Sequence, residues 1–255
     1  MLGKLLITQS VVESEKSEAE SLIKALKALK FEVQVCPIFL LNPVPLPISI
    51  SSPVEWQGSE DLIFITRLSV EVFHQSGLPL PLNSRCFSIG AGTAETFRHY
   101  FPKHFIEYPR DSADQNSEGL LKLSTLQAVS GRRIFIFRGS HGREFLADEL
   151  RQRGALVEYV TCYERRVNPA FHQFWMDPCP HFIPDILVLT STESLKIFLE
   201  TPRLDHFKAP WITLLSGRMK SLALEYGYHK ILLLEEASNE GIISRMSQFD
   251  KNSTC

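Results

Sequence analysis

Three blocks of this sequence recur at nearly constant spacing, and that repeat constrains the fold more than any single motif does. Asp61-Leu-Ile-Phe-Ile-Thr66 returns 124 residues later as Asp185-Ile-Leu-Val-Leu-Thr190. Cys86-Phe-Ser-Ile-Gly90 returns after 125 residues as Trp211-Ile-Thr-Leu-Leu215, each copy followed by a small-residue turn and a helical segment. Ser117-Glu-Gly-Leu-Leu121 returns after 122 residues as Asn239-Glu-Gly-Ile-Ile243. Leu26 and the strand near Val33 likewise answer Leu150 and the strand near Val157. Ordered blocks at one spacing predict a duplicated α/β unit, hence two similar domains within the 255 residues.

Each unit reads as a doubly wound parallel sheet. Short runs rich in Ile, Leu, Val and Phe alternate with segments of helical period, the pattern of strands covered on both faces. The predicted strands are 4–8, 32–36, 61–66, 86–90, 133–138, 156–163, 185–190, 211–215 and 230–234. The clearest helix follows the first strand: Ser17 to Glu20 has capping-box spacing, and Ala19, Leu22, Ile23, Leu26 and Leu29 form one apolar stripe. Two proline-rich stretches, 37–53 and 168–184, read as extended connectors, since proline lacks an amide donor and blocks helix. Two connectors imply a double hinge, with residues 1–36 packing against the segment from about 169 onward. A simple tandem split near residue 125 fits the same pattern.

Composition removes several classes of function. A net charge of −2 gives no broad basic footprint for nucleic acid. No stretch approaches the ~18 apolar residues of a membrane span, and the N-terminus lacks a signal-type apolar region, so a soluble cytoplasmic chain is expected. Cys36, Cys86, Cys162, Cys179 and Cys255 form no CxxC pair, and His99, His104 and the other histidines show no metal spacing. Gly90 and Gly92 match two glycines of a dinucleotide fingerprint, but Glu95 stands at the third and would repel a pyrophosphate. The P-loop, zinc-hydrolase and serine-hydrolase motifs are absent from the sequence.

Chemistry in open α/β sheets gathers outside the carboxyl ends of the strands, where helix N-termini present unpaired amides to anions. The predicted strand ends carry Thr66-Arg67, Gly90-Ala-Gly92-Thr93, Arg138-Gly139 through Arg143, Ser191-Thr192 and Ser216-Gly217-Arg218. Any one of these hydroxyl residues is an ordinary helix cap. Together they predict several amide nests facing one cleft.

The run Gly131-Arg-Arg-Ile-Phe-Ile-Phe-Arg138-Gly139, then Gly142-Arg143, Leu146, Leu150, Arg153-Gly154-Ala155 and Val157, ending in Cys162-Tyr163-Glu164-Arg165, resembles the uroporphyrinogen-III synthase family. Thr93-Ala94 and the repeated blocks extend the resemblance over nearly the whole chain. Two departures stand out: Arg67 replaces the family's usual serine, and Lys30 or Phe31 stands where a glycine is often found. The resemblance implies two similar doubly wound parallel-sheet α/β domains joined by a two-stranded linker. Domain 1 would be 1–36 plus 169–255 and domain 2 would be 39–166, with hinge crossings at 37–38 and 167–168. It also implies a cyclising lyase of haem biosynthesis, a monomer that takes hydroxymethylbilane, with hydroxymethylbilane synthase as a transient partner and with neither cofactor nor metal. The substrate is a linear tetrapyrrole with eight carboxylates, closed with inversion of ring D and loss of water.

The expected site comprises Tyr163 as the catalytic residue. Thr66, Arg67, Gly90, Gly92, Thr93, Arg138, Gly139, Arg143, Ser191, Thr192, Ser216, Gly217 and Arg218 are the expected substrate contacts. Tyr163 is either a proton donor to the departing hydroxyl or a residue packing the linker. A non-catalytic bilobed protein that binds an anionic small molecule would need the same nests without the acid.

Overall fold

Strands of unbroken apolar character need cover on both faces, and helices supply it twice in this chain. The computed structural model describes residues 2–46, 60–204, 207–236 and 238–249. Its strands are β1 (Gly3–Ile7), β2 (Phe31–Val35), β3 (Phe39–Pro43), β4 (Asp61–Phe64), β5 (Arg85–Ser88), β6 (Ile106–Glu107), β7 (Arg133–Gly139), β8 (Leu156–Val167), β9 (Ile186–Val188), β10 (Trp211–Leu214) and β11 (Ile231–Leu233). Its helices are α1 (Lys16–Ala28), α2 (Arg67–Gln75), α3 (Ala91–Tyr100), α4 (Ser117–Leu120), α5 (Phe145–Gln152), α6 (Pro169–Trp175), α7 (Thr192–Glu200), α8 (Gly217–Glu225) and α9 (Asn239–Ser247).

The chain divides into two units, Met1–Leu40 with Arg166–Cys255, and Leu41–Arg165. In the first unit the sheet order is β2-β1-β9-β10-β11, and in the second β8-β7-β4-β5-β6 with β3 added beside β8. The two five-strand orders correspond strand for strand, and the paired strands within them are parallel. The duplication is therefore of one doubly wound unit. In the second unit the copy is rotated in the chain, so that β7 and β8 play the parts of β1 and β2.

The linker is two-stranded. Asn168 N–H donates to the Ile38 carbonyl at 2.8 Å and Val44 N–H to the Cys162 carbonyl at 2.9 Å. Partner numbers fall along β8 as they rise along β3, so this ribbon is antiparallel.

The repeat extends to backbone detail. Lys30 (φ 65°) and Gly154 (φ 84°), 124 residues apart, both turn the chain left-handed after a helix. Each carbonyl then accepts a bond from just before the preceding strand: Leu2 N–H to Lys30 at 3.0 Å and Gly131 N–H to Gly154 at 2.8 Å. Lysine in that region costs roughly 1 kcal/mol that glycine avoids, which explains why a glycine is usual there. Gly119 and Gly241 also correspond. Each is the third residue of its helix, with a backbone carbonyl, Asp114 or Glu236, pressed where a Cβ would stand.

Alternation along the strands fills two layers in each unit. In the second unit Ile63, Ile134 and Ile136 pack with Leu146, Ala147 and Leu150 on one side. On the other, Phe64 stacks on Phe137 (4.9 Å between ring centres) and meets Phe73 and Phe97 at 5.6 and 5.5 Å. At the amino edge, fully buried Asp61 takes paired bonds from Arg85 (2.8 and 2.5 Å) and Arg132 (2.8 and 2.6 Å). Asp185, its repeat partner, accepts from Lys4 N–H at 2.8 Å.

Three local expectations need correction. Ser17 does not cap α1: a 3-10 turn, Glu13–Glu15, winds directly into the helix, which begins at Lys16 with Glu15 at the cap position. Residues 168–184 are not wholly extended, because Asn168 caps α6 and Pro169 occupies its first turn, where no amide bond is lost. Phe171 and Trp175, four apart, then bury completely on one helix face. The 37–53 stretch contributes β3, and its residues 47–53 lie outside the described residues, as does Cys255. Strand β8 also runs four residues beyond its predicted end at 163. Cys36, Cys86 and Cys162 are free and buried, whereas Cys179 is exposed. Among the described residues no helix is long and apolar enough to cross a membrane, and no group of three His, Cys, Asp or Glu side chains is arranged to hold a metal ion.

Candidate active site

A single extra residue in β8 decides where Tyr163 points. Along β7 and β8 the register runs Ile136 to Tyr159, Phe137 to Val160 and Arg138 to Thr161, then jumps, so that Gly139 faces Tyr163 instead of Cys162. This bulge transfers Tyr163 from the layer of Tyr159 to that of Phe137 and Gly139. Its ring then lies against Gly139: a Cβ there would stand 2.7 Å from Cε2, 2.9 Å from Cζ and 3.2 Å from the hydroxyl. Ser140 N–H donates to the Tyr163 carbonyl at 2.9 Å, fixing the backbone beneath the ring. The side chain is half-buried. Burial pushes the phenol pKa above its ordinary value, while a hydrogen bond from the Thr66 side chain opposes the rise.

Thr66 is the N-cap of α2, and its hydroxyl accepts from Ser69 N–H at 3.2 Å while Ser69 reciprocates toward Thr66 N–H at 3.3 Å. Arg67 opens the helix and lays its guanidinium on Gly92, where a Cβ would lie 2.5 Å from Nη2. Gly92 and buried Thr93 belong to the first turn of α3, with Gly90 as its cap. Thr66, Arg67, Gly90, Gly92, Thr93 and Gly139 thus lie at the carboxyl edges of β4, β5 and β7, and Tyr163, from within β8, faces the last residue of β7.

The two arginines of the β7 end differ. Arg138 is 8% exposed and committed to its own loop: Nε donates to the Gly139 carbonyl, and Nη1 to the Arg143 carbonyl and Glu144 Oε1, each at 3.3 Å. Its guanidinium sits 4.6 Å above the Tyr159 ring. It therefore shapes the 139–144 loop. Arg143 is exposed and donates to Glu118 Oε1 at 2.7 Å, a bond that holds the glutamate below its usual carboxylate range.

In the other unit, Ser191 caps α7 in a reciprocal pair with Ser194, the counterpart of Thr66 and Ser69, and Thr192 is the first helical residue. Ser216 caps α8 by accepting from Met219 N–H at 3.3 Å, and exposed Gly217 and Arg218 open that helix. All five lie at the carboxyl edges of β9 and β10. The cap hydroxyls are spent on their own helices. The N–H groups of the first two helical residues lack carbonyl partners within the helix, and they are what each end can offer to an anion.

Sequence reasoning missed the end of β1, although the repeat pairs β1 with β7 and so offered a signal. Thr8 there donates to the Val188 carbonyl and Ser10 to that of Phe39, both at 2.5 Å, tying strand ends together. Gln115 was also missed. It lies between a 3-10 turn and α4, and no local pattern singles it out.

A family model described as uroporphyrinogen-III synthase HemD matches residues 10–244. The chain is 32% identical over 197 residues to the uroporphyrinogen-III synthase of Salmonella typhimurium, covering 72% of this chain and 77% of that one. It is 28% identical over 249 residues to the Escherichia coli protein of the same name, covering 92% and 98%. The crystal structure of uroporphyrinogen-III synthetase from Helicobacter pylori superposes with a TM-score of 0.59 at 12% identity, covering 96% of this chain and 97% of that one, a likeness of fold. With a family model spanning residues 10–244 and relatives matched along 77% and 98% of their lengths, the chain belongs to the uroporphyrinogen-III synthase family.

Proposed function

We propose that the protein closes hydroxymethylbilane to uroporphyrinogen III, inverting ring D and releasing water, with Tyr163 as the proton donor. The observation that carries this reading is the placement of the Tyr163 phenol over Gly139 and beside Thr66, among strand ends rich in amide donors. Hydroxide is a poor leaving group. As the carbon–oxygen bond of the substrate's hydroxymethyl group breaks, its electron pair goes to oxygen, and a proton from the phenol converts the departing group to water. A donor has to be protonated at working pH, and burial favours that state for Tyr163. The Thr66 hydroxyl is placed to steady the phenolate left behind.

The remaining groups bind. Helix N-termini offer oriented partial charges at Arg67 and Gly92 in one unit and, separately, at Thr192 and Gly217 in the other, and each set suits carboxylates that must be held and afterwards released. Arg143 adds a full charge once its Glu118 partner is exchanged for a substrate carboxylate, and Arg138 positions the loop that carries it. Incubation of the purified chain with hydroxymethylbilane, without added metal or nucleotide, is expected to yield the type III isomer. Appearance of the spontaneous type I isomer alone at high protein concentration would refute the reading.

Gly139→Ala offers a second measurement. The added methyl needs space the Tyr163 ring occupies, so the ring must shift by several tenths of an ångström. Turnover is expected to fall about tenfold or more, since small misplacements of a reacting group are costly, with substrate KM changed much less. A variant with wild-type turnover would show that the ring position is not critical.

A further inference from the structure

Gln115 reaches across to the N-terminus of α3. Its Oε1 accepts from Ala91 N–H at 3.0 Å, and Gly90 leaves the room: a Cβ at that glycine would lie 2.6 Å from the same oxygen. Because the Ala91 amide is a donor, the contacted atom must be the carboxamide oxygen, which fixes the other end of the group as the NH2. That nitrogen has no partner among the described residues and is not sealed in the interior. The arrangement takes one backbone donor of the helix end and returns two, displaced outward by the length of a side chain. Asp114 beside it is neutralised by Lys122 at 2.8 Å, and the Arg67 guanidinium rests on Gly92 one step along the same turn.

We infer that Gln115 is a substrate-binding residue, whose anchored carboxamide NH2 donates to a carboxylate of the tetrapyrrole. The ligand class rests on the function proposed above; the donor geometry does not. A neutral donor recognises a carboxylate without the long-range attraction of an arginine, which favours release of a product carrying eight of them. An alternative duty, that Gln115 merely satisfies the α3 terminus, makes a different prediction under substitution.

Gln115→Glu separates the two. A carboxylate at a helix N-terminus accepts from Ala91 N–H at least as well as the amide does, so capping and thermal stability are kept. It removes both outward donors and sets an anion against an anion. Fluorescence titration of the full chain with uroporphyrin III is expected to show affinity weakened about tenfold or more. In steady-state assays KM for hydroxymethylbilane rises by a similar factor while kcat stays within about twofold. Gln115→Met, similar in length but uncharged and without donors, is expected to weaken uroporphyrin III by a smaller factor, about threefold to tenfold. Unchanged uroporphyrin III affinity in a thermally stable glutamate variant would overturn the assignment. Should the glutamate variant lose stability, unchanged affinity in the methionine variant would overturn it equally. If the wild type binds uroporphyrin III and the variants bind it weakly, yet no type III isomer forms, the catalytic reading fails while the Gln115 assignment stands.

Discussion

Tyr163→Phe is expected to reduce turnover by a factor of ~10 to 10³, the ordinary contribution of a positioned general acid. The phenyl ring keeps its contact with Gly139 and the bulge at Cys162 keeps its register, so thermal stability should change by less than about 1 kcal/mol. Binding of uroporphyrin III should be nearly unaffected, because the role proposed for the hydroxyl is at the bond that breaks. Thr93→Ala is a useful contrast: it leaves every α3 amide in place and should cost less. Turnover equal to wild type in the phenylalanine variant would reduce Tyr163 to a packing residue within β8. A residual rate at the lower end of the range would still come from holding the substrate folded.

The largest stability effect is expected from Asp61→Asn, far from Tyr163 along β4. Asp61 is inaccessible to solvent and is the shared acceptor of Arg85 and Arg132, which staple β5 and β7 to either side of β4. The substitution removes the carboxylate that both guanidinium groups share, leaving Glu60 as the acidic neighbour that still acts on Arg132. Breaking a buried pair costs about 3 to 5 kcal/mol. Both arginine side chains keep about a third of their surface in water, which places the loss near the lower end, roughly 3 kcal/mol. Urea unfolding at neutral pH measures it directly, and a loss below about 1 kcal/mol would show that the triad is screened like a surface pair.

The same group sets a pH signature. Burial alone would raise the Asp61 pKa, but the hydrogen bonds and charges of Arg85 and Arg132 outweigh it and hold the carboxyl below its ordinary 3.8. A folded-state pKa below the unfolded one contributes stability that is fully present above pH 3.8 and is lost as pH falls through the folded value. Wild-type stability should therefore decline with acid in that window more steeply than that of the asparagine variant.

The duplicated α/β unit was legible in the sequence because it is written in short-range terms. Apolar runs beginning with Asp61 and Asp185, the hydroxyl caps at 66 and 191 and the glycines 119 and 241 each express a local backbone need, and a repeat displays every need twice. The family resemblance drew on the same runs. What the sequence mispredicted was also local: α6 was read as extended because proline was counted as a breaker, although Pro169 sits in the one turn where it is harmless.

Tertiary structure alone decided the orientation of the chemistry. Period-two alternation assigns Tyr163 to the layer of Tyr159, and only the pairing of β8 with β7, residues 23 apart before the jump and 24 after it, introduces the bulge that turns it onto Gly139. Arg138 and Arg143 look alike as sequence, yet one is buried in its loop and the other is exposed, because alternation and loop closure treat neighbouring positions differently. Gln115 has no signal at all, since its meaning lies in Ala91 and Gly90, which the fold brings to it from another strand end. A sequence states what each residue requires of its immediate backbone; which distant group answers a side chain is fixed by strand order and register, and those exist only once the sheets have formed.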